Sequence, residues 1–378
     1  MKRFLIVLAF LFLIPAVHAE TFEADEIYFF VSPDSALQEI SSLINRSNES
    51  IYIATYSFDN SMLARQLNNR SKKGIDVKIM IEGSPVGGLD KNALFLMSNC
   101  TTIYLNKDNR YHYHHAKYAI FDNRTVLVST ENFNDRNRGW FAVIEDKEIA
   151  DYFLNLFSND LKDSEIYDNI YSEPKESSNY NEEMKYTPIF GKGYCYNSTV
   201  EIFTAPDATE EMIKFLNDSR GKLWVEQFYI YKNWSSKLNP FLKVLVDKRD
   251  KLDVRILMDS TWYVSQKNNP NSNFNTQKYL QSKNISSKLL DKEKTGLSKI
   301  HTKGIIDGDS VLISSINWNE HSPTKNREIG LVIHCVNASD YFSEVFKYDW
   351  TGERERQGFV QEILQTIYLI FQKILKLT

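Results

Sequence analysis

The chain has 378 residues, which is longer than most single domains and enough to form two hydrophobic cores. Hydrophobic residues make up 42% of the chain and charged residues 25%, a balance typical of soluble globular proteins. The formal net charge of −4 provides no overall basic field, which counts against a protein that coats nucleic acid.

The first 19 residues have the pattern of a secretory signal peptide. Lys2 and Arg3 precede an apolar run from residue 4 to residue 14, and Pro15 ends this run. Because the run is too short to span a bilayer well, we expect residues 1–19 to be removed on export and the mature protein to be secreted or extracytoplasmic. An uncleaved anchor is the less favoured interpretation.

Two parts of the chain repeat one pattern. Residues 30–34, FVSPD, match residues 203–207, FTAPD, and each proline is expected to open a helix at its first turn. Apolar residues then recur at helical spacing: Leu37, Ile40 and Ile44 in the first copy, and Met212, Ile213 and Leu216 in the second. Strand-like runs follow at 51–58 and 76–82 in the first copy and at 223–231 and 253–259 in the second.

Helices and strands alternate in each copy, which predicts an α/β fold. We expect two similar α/β sandwich halves related by a pseudo-two-fold axis, each built around a central mixed, mostly parallel sheet. The predicted boundaries are a signal peptide at 1–19, a first half at 20–165, a linker at 166–197, a second half at 198–350 and a C-terminal amphipathic helix at 355–378. Glu82 and Asp259, which end matching strand runs, are expected at the mouth of a cleft or as solvated strand caps.

Each copy contains a histidine and a lysine two residues apart, His115 with Lys117 and His301 with Lys303. Residues two apart on an extended strand point to the same face, so each pair offers a titratable imidazole beside a cation. An aspartate, a hydroxyl residue and an asparagine follow each pair: Asp122, Thr130 and Asn132 in the first copy, and Asp307, Ser315 and Asn317 in the second.

This set of side chains suits a phosphodiester. Two lysines and two asparagines can surround the oxygens of the anion, and two histidines can supply a nucleophile on one side and an acid on the other. A covalent phosphohistidine would divide one difficult step into two easier ones. Three cysteines, Cys100, Cys195 and Cys335, allow at most one internal disulfide bond, and no Cys/His spacing suggests zinc.

The paired motif resembles the HxKx4D superfamily of phospholipase D, cardiolipin synthases and related nucleases, over nearly all of the chain from the end of the signal peptide to about Trp350. The resemblance implies that His115 is the nucleophile, that His301 is the general acid, and that no metal or cofactor is needed. The phosphate ligands that we expect are Lys117, Thr130, Asn132, Lys303, Ser315 and Asn317. In the second copy the aspartate stands one residue closer to the lysine, and we interpret Asp307 as the equivalent of Asp122. We count both aspartates in the catalytic group, in a supporting role.

The acid that follows differs between the copies. The resemblance places Glu328 where the family has a carboxylate that orients the histidine of the opposite half, so Glu328 is expected to hold His115 in the tautomer needed for attack. The matching position of the first copy is Gly139, and we therefore expect His301 to lack such a partner. This asymmetry favours His115 as the nucleophile.

Three functions stay open at this point. The first is a phosphoric diester hydrolase that cleaves, or transfers, a phospholipid phosphodiester; the second is a secreted nuclease acting on DNA or RNA, or a cardiolipin-synthase-like phosphatidyltransferase. The third is a degenerate binding module, against which both intact pairs argue. The apolar stripe within 355–378 predicts a helix that packs on the protein, lies on a membrane surface or dimerises. A monomer is sufficient for one active site.

Overall fold

The computed structural model describes residues 19–98, 101–107, 110–134, 136–168 and 186–353. The predicted signal peptide, apart from Ala19, lies outside the described residues, and so do Cys100 and the predicted C-terminal helix at 355–378. Within these ranges, every helix is too short or too polar to cross a membrane.

Strands and helices alternate along the chain, and the predicted α/β class is confirmed. The strands are β1 (Glu20–Ser32), β2 (Ser50–Thr55), β3 (Asp76–Glu82), β4 (Thr102–Asn106), β5 (Tyr118–Phe121), β6 (Thr125–Ser129), β7 (Gly139–Glu145), β8 (Ser164–Ile166), β9 (Gly193–Ala205), β10 (Lys222–Gln227), β11 (Asn233–Trp234), β12 (Lys237–Leu238), β13 (Asp253–Met258), β14 (Ser286–Leu289), β15 (Lys303–Ile306), β16 (Ser310–Ser314) and β17 (Glu328–His334). The helices are α1 (Ala36–Arg46), α2 (Ser61–Lys72), α3 (Lys91–Ser98), α4 (Lys147–Leu161), α5 (Thr209–Asp218), α6 (Pro240–Lys248), α7 (Asn273–Ser282), α8 (Lys292–Thr295), α9 (His321–Lys325) and α10 (Val336–Thr351).

One continuous 15-stranded sheet carries the fold, in the order β14-β13-β10-β15-β16-β17-β9-β1-β7-β6-β5-β2-β3-β4-β8. The 13-residue strands β1 and β9 pair antiparallel in its middle, from Glu20 opposite Ile202 to Phe29 opposite Gly193. Outward from this pair, β7, β6, β5, β2, β3 and β4 on one side correspond in order to β17, β16, β15, β10, β13 and β14 on the other. The duplicated sequence predicts this matching order; the pseudo-two-fold axis stays a prediction.

The sheet is mixed, but it is mostly antiparallel rather than mostly parallel. Parallel pairing in the described sheet is confined to β2-β3-β4 and β10-β13-β14. The turns between β5 and β6 and between β15 and β16 are too short for crossover helices, so these strands run antiparallel, and β7 and β17 pair antiparallel with β6 and β16. The prediction of one sheet in each half is also wrong, because β1 and β9 join both into one. Strand β9 begins at Gly193, inside the linker predicted at 166–197.

The matched prolines lie in the strand-to-helix connections and not in the first helical turns. Pro33 and Pro206 both follow cis peptide bonds, whereas α1 begins at Ala36 and α5 at Thr209. In the first copy a turn precedes α1, and in this turn Ser35 N donates to Val31 O at 3.1 Å. The predicted helix starts are therefore a few residues too early.

Alternate residues of the strands face different helices, as the two-residue period of a strand requires. Ile53 packs with α1, α2 and α3, whereas the ring of Tyr52 stacks on α4, 5.5 Å from Phe157. In the second half, Val225 packs with α5, α6 and α7, and Trp224 faces α10. Helices α4 and α10 thus share a core on one face of the sheet, whereas α1–α3 in the first half and α5–α7 in the second form two separate cores on the opposite face.

A disulfide bond joins β9 to the start of α10. It connects Cys195 with Cys335, which are 140 residues apart in sequence. This bond is the internal pair that three cysteines allow, and it closes a loop that contains most of the second half.

We expect the double variant Cys195→Ser/Cys335→Ser to lose about 2–5 kcal/mol of unfolding free energy, because the bond removes conformations from the unfolded chain. Urea unfolding of the oxidised proteins measures this loss. Lys243→Arg, an exposed change on α6, is the control and should retain the wild-type midpoint. An unchanged midpoint in the double variant would contradict the stabilising role of the bond.

Candidate functional site

Both His-x-Lys motifs lie where the chain contacts the opposite half. His115 N donates to Arg327 O at 2.8 Å, and His301 N donates to Arg138 O at 2.8 Å. Arg327 and Arg138 stand immediately before β17 and β7, at matching places in the repeat. The backbone of each histidine is therefore fixed by a strand of the other half.

A buried carboxylate supports the residue before each histidine. Glu82 Oε2 accepts from His114 N at 2.7 Å, and Asp259 Oδ1 accepts from Ile300 N at 2.8 Å. Both carboxylates are buried, so the expectation of a cleft mouth or of solvated caps is wrong. Their role is to satisfy backbone N–H groups that would otherwise be buried without a partner.

The imidazole of His115 contacts a carboxylate of the opposite half. Its Nδ1 lies 2.7 Å from Oε2 of Glu328. The same carboxylate accepts from Ser315 Oγ at 2.6 Å, from Asn326 Nδ2 at 2.9 Å and from Ser322 Oγ. Because several donors share it, the carboxylate is held in one orientation.

Burial keeps His115 neutral. It lowers the pKa of the imidazole to about 4 against the opposing effect of Glu328, and the charge of Lys117 lowers it further. Burial raises the pKa of Glu328, but His115 and Lys117 outweigh that effect and the pKa is lowered. A neutral imidazole that donates its Nδ1–H to a carboxylate carries its lone pair on Nε2, the nitrogen that can attack a phosphorus atom.

His301 also contacts a carboxylate, contrary to expectation. Its Nδ1 lies 3.0 Å from Oε1 of Glu131, although the N–H direction misses the oxygen and the contact is not an aligned hydrogen bond. Sequence comparison missed Glu131 because the family position falls on Gly139. One difference between the copies could have identified it: position 131 is a glutamate, whereas the matching position of the second copy is Ile316.

Each lysine lies beside an aromatic ring that also contacts its histidine. Lys117 Nζ is 5.6 Å from the ring centroid of Tyr56, which lies 4.9 Å from the first histidine ring. Lys303 Nζ is 5.5 Å from Phe228, which lies 4.7 Å from the second histidine ring. Each Nζ donates to the carbonyl of its own motif histidine. Neither ring is predicted by the motifs, although both directly follow the matching strands β2 and β10.

Burial makes the charged forms of both motif lysines less stable. Burial lowers the pKa of Lys117 to about 7. Burial and the nearby charge of Lys117 hold the pKa of Lys303 well below its usual value. An anion between these groups would stabilise their charged forms. In the described ranges, no group of three His, Cys, Asp or Glu side chains is arranged to hold a metal ion.

The structure places Asp122 and Asp307 outside the site, so their assignment to the catalytic group is wrong. Asp122 lies five residues after Lys117, about 17 Å along an extended strand, where its carboxylate accepts from Asn48 N at 2.9 Å. Asp307 lies at the corresponding end of β15 and accepts from Asp309 N at 2.9 Å. Both aspartates hold backbone turns at the far ends of the motif strands.

The two predicted hydroxyl ligands are also directed elsewhere. Thr130 Oγ1 accepts from Trp140 N at 3.0 Å, and Ser315 Oγ donates to Glu328. Both hydroxyl residues are fully buried and hold neighbouring groups rather than face a phosphate. Asn132 and Asn317 keep 8% and 5% exposure, close to the 9% of each histidine, and remain candidate phosphate ligands.

Two stretches of the chain, residues 40–161 and 212–350, match one family model, described as the cardiolipin synthase, phospholipase D-like domain. A Rickettsia felis protein named phospholipase D is 26% identical over 134 residues, 34% of this chain and 66% of the relative. A Rickettsia bellii protein of the same name is 28% identical over 129 residues, which are 33% of this chain and 63% of the relative. The chain thus spans just under two thirds of the length of these two relatives.

A solved structure shares the fold over almost the whole chain. The crystal structure of phosphatidylserine synthase from Haemophilus influenzae Rd KW20 aligns with a TM-score of 0.61 over 95% of each chain, at 14% sequence identity. At this level of identity the likeness concerns the fold alone.

We expect Glu328→Gln to lower kcat for a phosphodiester by about 10²–10⁴-fold, because an amide cannot accept from all the donors that orient the carboxylate. Steady-state kinetics measure the loss, and the unfolding midpoint shows that the variant is folded. Glu148→Gln, an exposed change on α4, is the control. Wild-type turnover in Glu328→Gln would refute the orienting role.

We expect kcat/KM for a phosphodiester to fall as the pH rises through about 7. The reason is that Lys117, whose pKa burial lowers to about 7, is charged below that pH and loses its proton above it. A phosphodiester stays a monoanion at these pH values, so the change in kcat/KM reports on a group of the protein and not on the substrate. A value of kcat/KM that is flat, or that rises, between about pH 6 and pH 9 would contradict the assignment of Lys117 to anion binding.

Proposed function

The chain belongs to the phospholipase D-like family, as its motifs predicted, and on this premise we propose that it cleaves a phospholipid phosphodiester through a phosphohistidine on His115. The observation that supports this most is the 2.7 Å contact between His115 Nδ1 and Glu328, because it leaves Nε2 with a lone pair for attack. Hydrolysis is the proposed outcome, and transfer to another alcohol uses the same intermediate.

The proposed reaction has two balanced steps. In the first, the Nε2 lone pair of His115 forms a bond to phosphorus, the P–O bond to the leaving group breaks, and the leaving oxygen takes a proton from His301. In the second, water attacks phosphorus, its proton passes to His301, and the P–N bond electrons return to His115. Lys117 and Lys303 balance the charge of the phosphoryl oxygens throughout.

Exposed apolar side chains at the edge of the site support a lipid substrate. Five of the large hydrophobic side chains exposed in the described ranges follow the ends of β2, β3, β10 and β13: Met62, Val86, Tyr231, Trp262 and Tyr263. Val86 N donates to Tyr56 Oη at 2.6 Å, and the Tyr263 ring lies 6.2 Å from Phe228. The segments that carry Val86 and Tyr263 therefore adjoin the rings that contact the two catalytic histidines.

The character of these side chains favours lipid over nucleic acid. Val86 is 78% exposed and Trp262 is 72% exposed. An aromatic ring can stack on a base or enter a lipid interface, but an aliphatic side chain gains little from a base and much from acyl chains. Lys299, which lies 4.5 Å from the Phe228 ring centroid, adds positive charge for lipid phosphates.

We further propose that the protein is exported. Its N-terminal pattern and the bond between Cys195 and Cys335 support this, since structural disulfides persist outside the reducing cytosol. We also propose that halves at 20–165 and 198–350 build one active site from a single chain, which the contacts of each motif with the opposite half support.

The proposed function predicts that the purified protein cleaves phosphatidylcholine or phosphatidylglycerol vesicles, with EDTA present, and that His115→Ala does not. Quenching with detergent at alkaline pH, where the P–N bond is stable, should trap a phosphohistidine at residue 115. Single-stranded and duplex DNA are the competing substrates. Cleavage of DNA but not of lipid would establish the nuclease alternative, and inhibition by EDTA would contradict a metal-free reaction.

The variant Trp262→Ala tests the role of the exposed side chains. Its cleavage rates on vesicles and on a soluble short-chain phosphodiester are compared with those of the wild type. Loss of vesicle cleavage with unchanged cleavage of the soluble diester is the expected result. Equal rates for the variant and the wild type on vesicles would remove the support that the exposed side chains give to a lipid substrate.

A further inference from the structure

Glu131 occupies the space that a side chain at position 139 would need. A Cβ atom added to Gly139 would lie 2.5 Å from the Cβ of Glu131, closer than real Cβ contacts allow. In the second half the corresponding residues are Ile316 and Glu328. The two halves thus carry their acid at different positions of the repeat, and Gly139 makes room for the acid of the first half.

The carboxylate of Glu131 is buried and fixed. It is 1% exposed, and its Oε1 accepts from Asn132 N at 2.8 Å and from Asn134 Nδ2 at 3.1 Å. Its Oε2 accepts from Asn137 Nδ2 at 3.0 Å. These neutral donors hold the group without cancelling its charge, which is left to act on His301 at 3.0 Å.

We propose that Glu131 positions His301 as the proton donor to the leaving oxygen, in place of the acid that position 139 lacks. This inference rests on the proposed function and assigns a positioning residue to it. Glu131 does not contact the reacting atoms itself. It acts by holding the second imidazole and by stabilising that ring when the ring is charged.

Electrostatics explain why this histidine needs a carboxylate. Burial, the charges of Lys303 and Lys299, and further effects of Lys117 and His115 hold the pKa of His301 well below its usual value. A bound phosphodiester offsets the lysine charges, and a carboxylate at Nδ1 then favours the imidazolium that must donate a proton. Active-site contacts without a ligand are often poorly aligned and improve on binding, which agrees with the geometry of this pair.

If Glu131 positions the proton donor, its loss should affect some leaving groups more than others, which a general loss of structure would not do. Proton donation matters most for a leaving group that is unstable as an anion, such as an alkoxide. It matters little for a nitrophenolate, which leaves without a proton. Glu328, which orients the nucleophile, should affect both kinds of leaving group alike.

The test compares two phosphodiesters with the same phosphoryl part, one with an alkyl and one with a p-nitrophenyl leaving group. The rate of leaving-group release in the first turnover isolates the step in which His301 donates. We expect Glu131→Gln to slow alkyl release by about 10²-fold or more and nitrophenol release by only a few-fold. Glu131→Asp should recover part of the alkyl rate, and Glu328→Gln should slow both releases similarly.

The ratio of the two rates is measured on one preparation, so partial unfolding of a variant cancels from it. An equal loss for both leaving groups, or no loss for either, would overturn the role of Glu131. Failure of the wild-type protein to cleave either diester would instead refute the proposed function.

Discussion

The site depends on a carboxylate of one half that holds an imidazole of the other. His115 and Glu328 are 213 residues apart in sequence, and their 2.7 Å contact forms only when both halves are folded and joined. The link between β1 and β9 brings the two sets of strands into one sheet, and the backbone of each motif histidine then donates to the opposite half. Neither half alone contains a complete proton-transfer pair.

The residues that accept those backbone hydrogen bonds are themselves anchored by buried charge. Arg138 donates from Nε to Asp349 at 2.7 Å, and Arg327 lies 2.9 Å from Asp160. Asp349 belongs to α10 and Asp160 to α4, the helices that share one core. Removing one partner of a buried ion pair commonly costs about 3–5 kcal/mol, because the other charge is then left buried without compensation. The position of the active site is therefore tied to the packing of the central core.

Local patterns in the sequence predicted much of the fold and of the site. The α/β class, the amphipathic helix α1 and the repeated strand runs follow from spacing alone, and the two motifs identified the four residues that the structure clusters: His115, Lys117, His301 and Lys303. Asp122 was misplaced because five residues of an extended strand carry it to the far end of the motif. Strand direction was mispredicted because tight turns, not helix alternation, join β5 to β6 and β15 to β16. Glu131 was not predicted because it stands at a different position of the repeat from Glu328. Only the structure shows that its side chain fills the space left free by Gly139.

The most direct test of this account is a crystal structure of the protein with vanadate, which mimics a phosphorus atom under attack. Both imidazoles should approach one vanadium centre, with Nε2 of His115 bonded to it and Nε2 of His301 within hydrogen-bonding distance of the oxygen on the opposite side. Vanadate bound to one histidine alone, or bound away from both, would contradict a single active site shared between the halves.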